Sequence, residues 1–107
     1  CDGNMRAGRF VSGYGGVLVQ DCQIENLSVT VIYGHLSLAS LKFKAGDKIK
    51  QGEVIGNLGN PAKGETDGER KHLHLGIHKG IAINYRGYVN SQSELTEWID
   101  PCLYFCK

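Results

Sequence analysis

Short apolar runs punctuated by glycine constrain this chain more than any other feature. Residues 27–33, Leu-Ser-Val-Thr-Val-Ile-Tyr, alternate apolar and polar at first and are rich in β-branched types, the signature of a strand. Val17-Leu18-Val19-Gln20 reads the same way, after Phe10-Val11 and a flexible turn at 12–16. Asp21 to Asn26 is the expected polar connection between those two strands. Leu41 and Phe43 alternate with Lys42 and Lys44, Ile49 lies between Lys48 and Lys50, and Val54-Ile55 follows a Gln51-Gly52 turn. The lysines then form the solvated face of a small sheet rather than a basic patch. With 15 glycines and only 2 prolines in 107 residues, tight turns between strands are expected, not a disordered linker. The fold class is therefore all-β and antiparallel.

Residues 57–71 are polar, with three glycines and a proline, and read as a long loop. Strand character returns at His72-Leu73-His74-Leu75-Gly76-Ile77-His78. Ser91 followed three residues later by Glu94 fits a capping box. A short helix is expected from there to about Ile99, stopped by Asp100-Pro101. The length suits one domain: a β body over residues 1–90 and a C-terminal helical segment over 91–107 packed on it.

Twelve basic and 11 acidic side chains give a net charge of +1, so no global field favours nucleic acid or an acidic membrane. No apolar run approaches the roughly 20 residues of a membrane-spanning helix, and the first ten residues lack the apolar core of a signal peptide. Four cysteines, Cys1, Cys22, Cys102 and Cys106, allow three pairings, and spacing does not choose among them. The chain opens on Cys1 and its only methionine is Met5. A piece of a longer protein and a mature lipoprotein both fit that opening.

The histidines are His35, His72, His74 and His78. On a strand His72 and His74 share a face, about 6.6 Å apart at roughly 3.3 Å per residue. Leu73, Leu75 and Ile77 then supply the opposite, apolar face. Two imidazoles on a well-anchored strand suit a metal ligand beside a proton-handling group. His78 shares the face but lies about 13 Å from His74 by the same rise, too far for one ion. Alone, such a pair is more often ordinary surface.

The surrounding motifs change that weighing. In order, the chain carries Gly13-Tyr14-Gly15-Gly16, Tyr33-Gly34-His35-Leu36-Ser37, Ala45-Gly46-Asp47-Lys48-Ile49-Lys50-Gln51-Gly52-Glu53-Val54-Ile55-Gly56 and His72-Leu73-His74. This series resembles the lysostaphin-type, or LytM-like, zinc metalloendopeptidase domain over roughly residues 3–78. The resemblance implies an antiparallel sheet or barrel-sandwich of the duplicated hybrid motif type. It implies hydrolysis of peptide bonds in bacterial cell-wall peptidoglycan with one Zn2+, in the cell envelope or outside the cell. It assigns His74 as a zinc ligand and His35 and His72 as catalytic histidines that move protons or stabilise the transition state. Zinc in such a site polarises the scissile carbonyl and acidifies bound water, and a nearby imidazole manages the proton.

The sequence departs from the family pattern where the other two zinc ligands belong. No H-x-x-x-D motif occurs, and Asp2-Gly3 occupies the turn that follows it in the family. A fragment is thus expected, with the remaining ligands upstream of Cys1 and the 107 residues inactive alone, since one His holds zinc poorly. Arg70-Lys71 stand where Gly-Pro is common, and Leu75 and Gly76 replace the usual aromatic and acidic residues. The loop at 60–71 is longer and more charged than usual and flanks the site, and its Glu65, Asp67 and Glu69 are expected to be solvated rather than to choose a substrate. Two other readings compete. One is a non-catalytic domain of the same fold that binds peptidoglycan or activates another hydrolase, against which the three retained histidines weigh. The other is a biotinyl- or lipoyl-like carrier, which lacks a suitable lysine turn here and has no use for His-x-His.

Overall fold

The structure, a computed structural model, describes residues 1–86 and 89–106, without the side chain of Phe105. Its strands are β1 (Gly3–Val11), β2 (Gly15–Ile24), β3 (Leu27–Leu36), β4 (Lys48–Ile49), β5 (His74–Lys79) and β6 (Trp98–Ile99). They form one antiparallel sheet in the order β4-β1-β2-β3-β5-β6. The all-β expectation holds. The sheet is open, with β4 and β6 at its edges, and does not close into a barrel.

The long β1–β2–β3 meander is the scaffold. β2 runs through Asp21–Ile24, where a polar connection was expected. Cys22 points inward, is buried and is disulfide-bonded to Cys1, while Asp21 accepts a hydrogen bond from the Asn4 N–H at 2.9 Å. The turn shrinks to Glu25-Asn26, with φ of 52° and 68°, the two left-handed residues of a tight hairpin. A second disulfide joins Cys102 to Cys106.

The sheet carries apolar clusters on both faces. Met5, Leu18, Leu36 and Ile49 form one, and Cys22, Val29, Val31 and Ile77 another. Val17, Val19 and Ile32 pack on the opposite face, with Tyr14 and Tyr85 over them. Burying a side chain such as Leu18 contributes roughly 2–3 kcal/mol. Leu41, Phe43 and Ile55 cover the first cluster and Lys42, Lys44, Lys48 and Lys50 are exposed. The alternation therefore sorts the side chains as expected, although 41–44 and 53–56 form no strand. Between them the Lys42 N–H donates to the Ile55 carbonyl at 3.1 Å.

The C-terminal segment differs from the expected helix. A 3-10 helix spans Gln92–Glu97, Trp98–Ile99 then pairs with Ile77–His78 as β6, and a short helix α1 (Cys102–Phe105) follows Pro101. The capping box does not form, because the Glu94 carboxylate accepts from the Asn90 N–H and Ser91 bonds Ser93. Tertiary pairing wins here: Ile99 packs on the Val31 cluster and Trp98 meets the His78 ring.

Candidate active site

His35 owes its position to a bulge. Gly16 pairs with Leu36 and Leu18 with Tyr33, so Gly34 and His35 stand opposite Val17 alone. Such an extra residue bends a strand and re-aims a side chain. His35 takes a left-handed φ of 61°, which costs a non-glycine residue about 1 kcal/mol or more. The surroundings fix it there: its N–H donates to the Tyr14 carbonyl at 2.7 Å, and its carbonyl accepts from the Gly59 N–H at 2.6 Å. The residue is buried.

β5 begins at His74, two residues later than expected. His74 pairs with Gly34 across β3. A Cβ on Gly34 would stand 3.0 Å from the Tyr14 ring and 3.3 Å from the His74 Cβ, so glycine there leaves room for both. Leu75 and Ile77 enter the core as expected, but Leu73 is exposed because it precedes the strand. His72 also lies before the strand and still reaches His35.

The three histidines converge. Ring centroids of His35 and His72 are 4.5 Å apart, and those of His35 and His74 5.9 Å. Tyr14 closes the cluster at 4.9 Å from His74 and 5.6 Å from His35, its hydroxyl donating to the Tyr85 carbonyl. His78 is apart from this group. It is buried against Trp98, with its Nε2 3.7 Å from the Glu97 carboxylate and its Nδ1 unpartnered among the described residues.

Hydrogen bonding sets the tautomer of two rings. His35 Nδ1 lies 3.0 Å from the Glu65 carbonyl and His72 Nδ1 2.7 Å from the Arg70 carbonyl. A carbonyl only accepts, so each Nδ1 carries the proton and each neutral ring keeps its lone pair on Nε2. Burial, then the neighbouring His35 and His72, push the His74 pKa below the ordinary value. A neutral imidazole is the form that binds metals. Burial also raises the Tyr14 pKa.

An open groove of about 560 Å³ runs past this cluster, with Tyr14, His35, His74, Asp67, Tyr85 and Arg86 on its walls. A more apolar cavity of about 320 Å³ shares His74 and Arg86 with it and is walled by Leu75, Leu95 and Trp98. Among the described residues, no three His, Cys, Asp or Glu side chains are placed to hold a metal ion. His74 has the right chemistry for a zinc ligand, but the residues present do not by themselves fit the ion.

Residues 1–91 match Peptidase family M23. The chain belongs to that family. All three clustered histidines and the Gly13–Gly16 turn lie within the matched M23 region, in line with the LytM-like resemblance, whereas Leu95 and Trp98 lie beyond it. A stretch of 44 residues is 46% identical to Endolysin 2638A of Staphylococcus phage 2638A, covering 41% of this chain and 9% of the endolysin. No solved structure matches the chain. Among the described residues no helix is long and apolar enough to cross a membrane.

Two residues beside the histidine cluster were given no site role from sequence, although Tyr14 stood in the quoted Gly13-Tyr14-Gly15-Gly16 motif. Tyr14 carried a signal, a bulky aromatic set among glycines where a plain turn needs none. Glu65 carried none. It was expected to be solvated with Asp67 and Glu69, yet it is buried at 5% exposure while the other two are exposed.

Proposed function

We propose that this chain supplies the histidine half of a zinc-dependent endopeptidase site that hydrolyses peptide bonds of bacterial peptidoglycan. The observation that carries the reading is the convergence of His35, His72 and His74, of which His35 and His74 line one groove, with His35 and His72 each tied through Nδ1 to a backbone carbonyl. M23 membership and the likeness to a phage endolysin support a cell-wall substrate and a place of action at the cell envelope or outside the cell. Two disulfides accord with an oxidising compartment.

His74 is the zinc ligand of this chain. The other two ligands come from an H-x-x-x-D motif, which the 107 residues do not contain and which chain N-terminal to Cys1 would supply. The β body and the segment at 91–107 act as one domain, since β6 completes the sheet edge beside the site.

His35 and His72 handle the protons. A neutral ring takes a proton from the attacking water at Nε2, and the imidazolium returns it to the leaving amine. The other ring, when protonated, donates to the developing oxyanion. The products are a carboxylate and an amine.

The test uses the intact parent protein and purified peptidoglycan. Newly released amino groups should appear with the native enzyme and fall at least 100-fold with His35→Ala, a loss in the range of a general acid–base catalyst. Reducing sugar ends without new amino groups would refute peptide-bond cleavage. Binding to peptidoglycan with no bond cleaved would favour the non-catalytic reading instead.

A further inference from the structure

The Glu65 carboxylate is enclosed although it sits in a polar, glycine-marked loop. Its Oε2 accepts from the Leu38 N–H at 2.8 Å and its Oε1 from the Asn60 N–H at 3.0 Å. Those two backbone bonds hold its carboxyl below the usual carboxylate range, against the opposing effect of burial, with help from the Lys63 charge. Charge-assisted bonds to N–H groups are stronger than neutral ones, and here both carboxylate oxygens are used. The backbone around Glu65 is equally constrained. A Cβ on Gly15 would stand 2.6 Å from both the Glu65 Cα and carbonyl oxygen. Glycine at 15, with φ of +71°, lets the β2 start press directly on this loop.

The same residue touches the catalytic cluster through its main chain, because the Glu65 carbonyl accepts from His35 Nδ1 at 3.0 Å. A loop carbonyl is a poor anchor unless the loop is pinned. The side chain of Glu65 pins it at two points, one on the 3-10 turn Leu38–Ser40 that directly follows β3 and one on Asn60. His35 thus lies between two attachments made by one residue.

We propose that Glu65 is a positioning residue: its side chain clamps the loop so that its own carbonyl fixes the His35 ring with the proton on Nδ1 and the lone pair on Nε2. The catalytic meaning of this rests on the function proposed above. The geometric claim does not, since it concerns one tautomer of one ring. Glu65 reaches no reacting atom and acts only through His35.

The experiment reads the ring nitrogens of His35 by 15N–1H correlation in the 107-residue chain, without metal, at a pH where the imidazoles are neutral. In the native chain His35 Nδ1 should resonate as a protonated nitrogen and Nε2 as an unprotonated one. In Glu65→Gln an amide NH2 faces a backbone N–H, the clamp loses one arm, and the two resonances should move toward each other as the tautomers mix. The Trp98 indole and the β1–β2 amides should not move. Leu38→Pro is the second variant. It removes the donor to Oε2 while leaving Glu65 intact, and proline is tolerated at the first position of a helical turn whose preceding Ser37 is extended, with ψ of 118°. It should move the same two resonances in the same direction. Unchanged His35 nitrogens in a folded variant of either kind would overturn the proposal. Zinc content and turnover do not enter the measurement, so failure of the metal assignment and failure of this one are separate outcomes.

Discussion

The imidazole rings of His35 and His72 lie 4.5 Å apart at an interplanar angle of 49°, one ending a strand of the central meander and the other just preceding β5. Each is anchored through Nδ1 to a different carbonyl, that of Glu65 or Arg70. Independent anchors mean that the two rings keep their separation without touching through a hydrogen bond. Two imidazoles held this way keep a fixed mutual geometry beside His74, which is what the proposed proton-handling roles require.

Acid should expose the role of Glu65 in stability. Its folded-state pKa is depressed below 4.5, so its contribution is fully present above that value and is lost as pH falls through the folded-state pKa. Urea unfolding of the native chain between pH 7 and pH 3 should show a drop in stability setting in below about pH 4.5. Glu65→Gln should be less stable at pH 7 and should lack that part of the acid dependence. Parallel pH profiles for the two proteins would contradict the assignment.

Gly15→Ala should be costly. The new Cβ meets Glu65 main-chain atoms at 2.6 Å, and φ at this position is +71°. A loss of roughly 2–4 kcal/mol is expected in chemical denaturation, combining a left-handed alanine with a backbone clash. Gly46→Ala, also at positive φ but with open space around it, should cost about 1–2 kcal/mol, the conformational part alone.

Tyr14 separates packing from hydrogen bonding. Tyr14→Phe keeps the ring against His35 and His74 and loses only the bond to the Tyr85 carbonyl. About 1 kcal/mol of stability should go with it, with the His74 ring environment preserved. Tyr14→Ala removes the ring and should cost about 3–5 kcal/mol, shifting the His74 ring resonances as well. Similar effects from both variants would show that the ring contacts do not matter.

The two disulfides should differ in weight. Cys1–Cys22 spans 21 residues and ties the start of β1 to β2, whereas Cys102–Cys106 spans 4. In the chain-entropy picture their removal costs about 3 and about 2 kcal/mol respectively. Denaturant midpoints of Cys22→Ser and Cys106→Ser, each measured with its partner cysteine also changed to serine, test the order.

Much of this was legible in the sequence where local pattern and burial agree. The alternation at Leu41, Phe43 and Ile49 sorted core from solvent even where no ladder forms, because facing depends on side-chain period more than on hydrogen bonds. The strand at 27–33 and its neighbour at 17–20 were readable from β-branched content. Asp21 misled, since its side chain caps the Asn4 N–H rather than breaking the strand. Ser91 and Glu94 misled too, because pairing of Trp98–Ile99 with β5 outweighs a weak capping signal. His35, His72 and His74 were found through ordered motifs, and the structure brings them together. Glu65 was invisible, because nothing in a polar loop announces that its carboxylate will be enclosed by Leu38 and Asn60.

The most direct test of the account is the zinc content of the intact parent protein, purified and dialysed, with and without His74→Ala. One zinc per chain in the native protein, lost in His74→Ala and retained in a turnover-deficient His35→Ala, is the predicted result. Equal zinc in the native protein and His74→Ala would contradict the assignment of His74 as a ligand and, with it, the central claim.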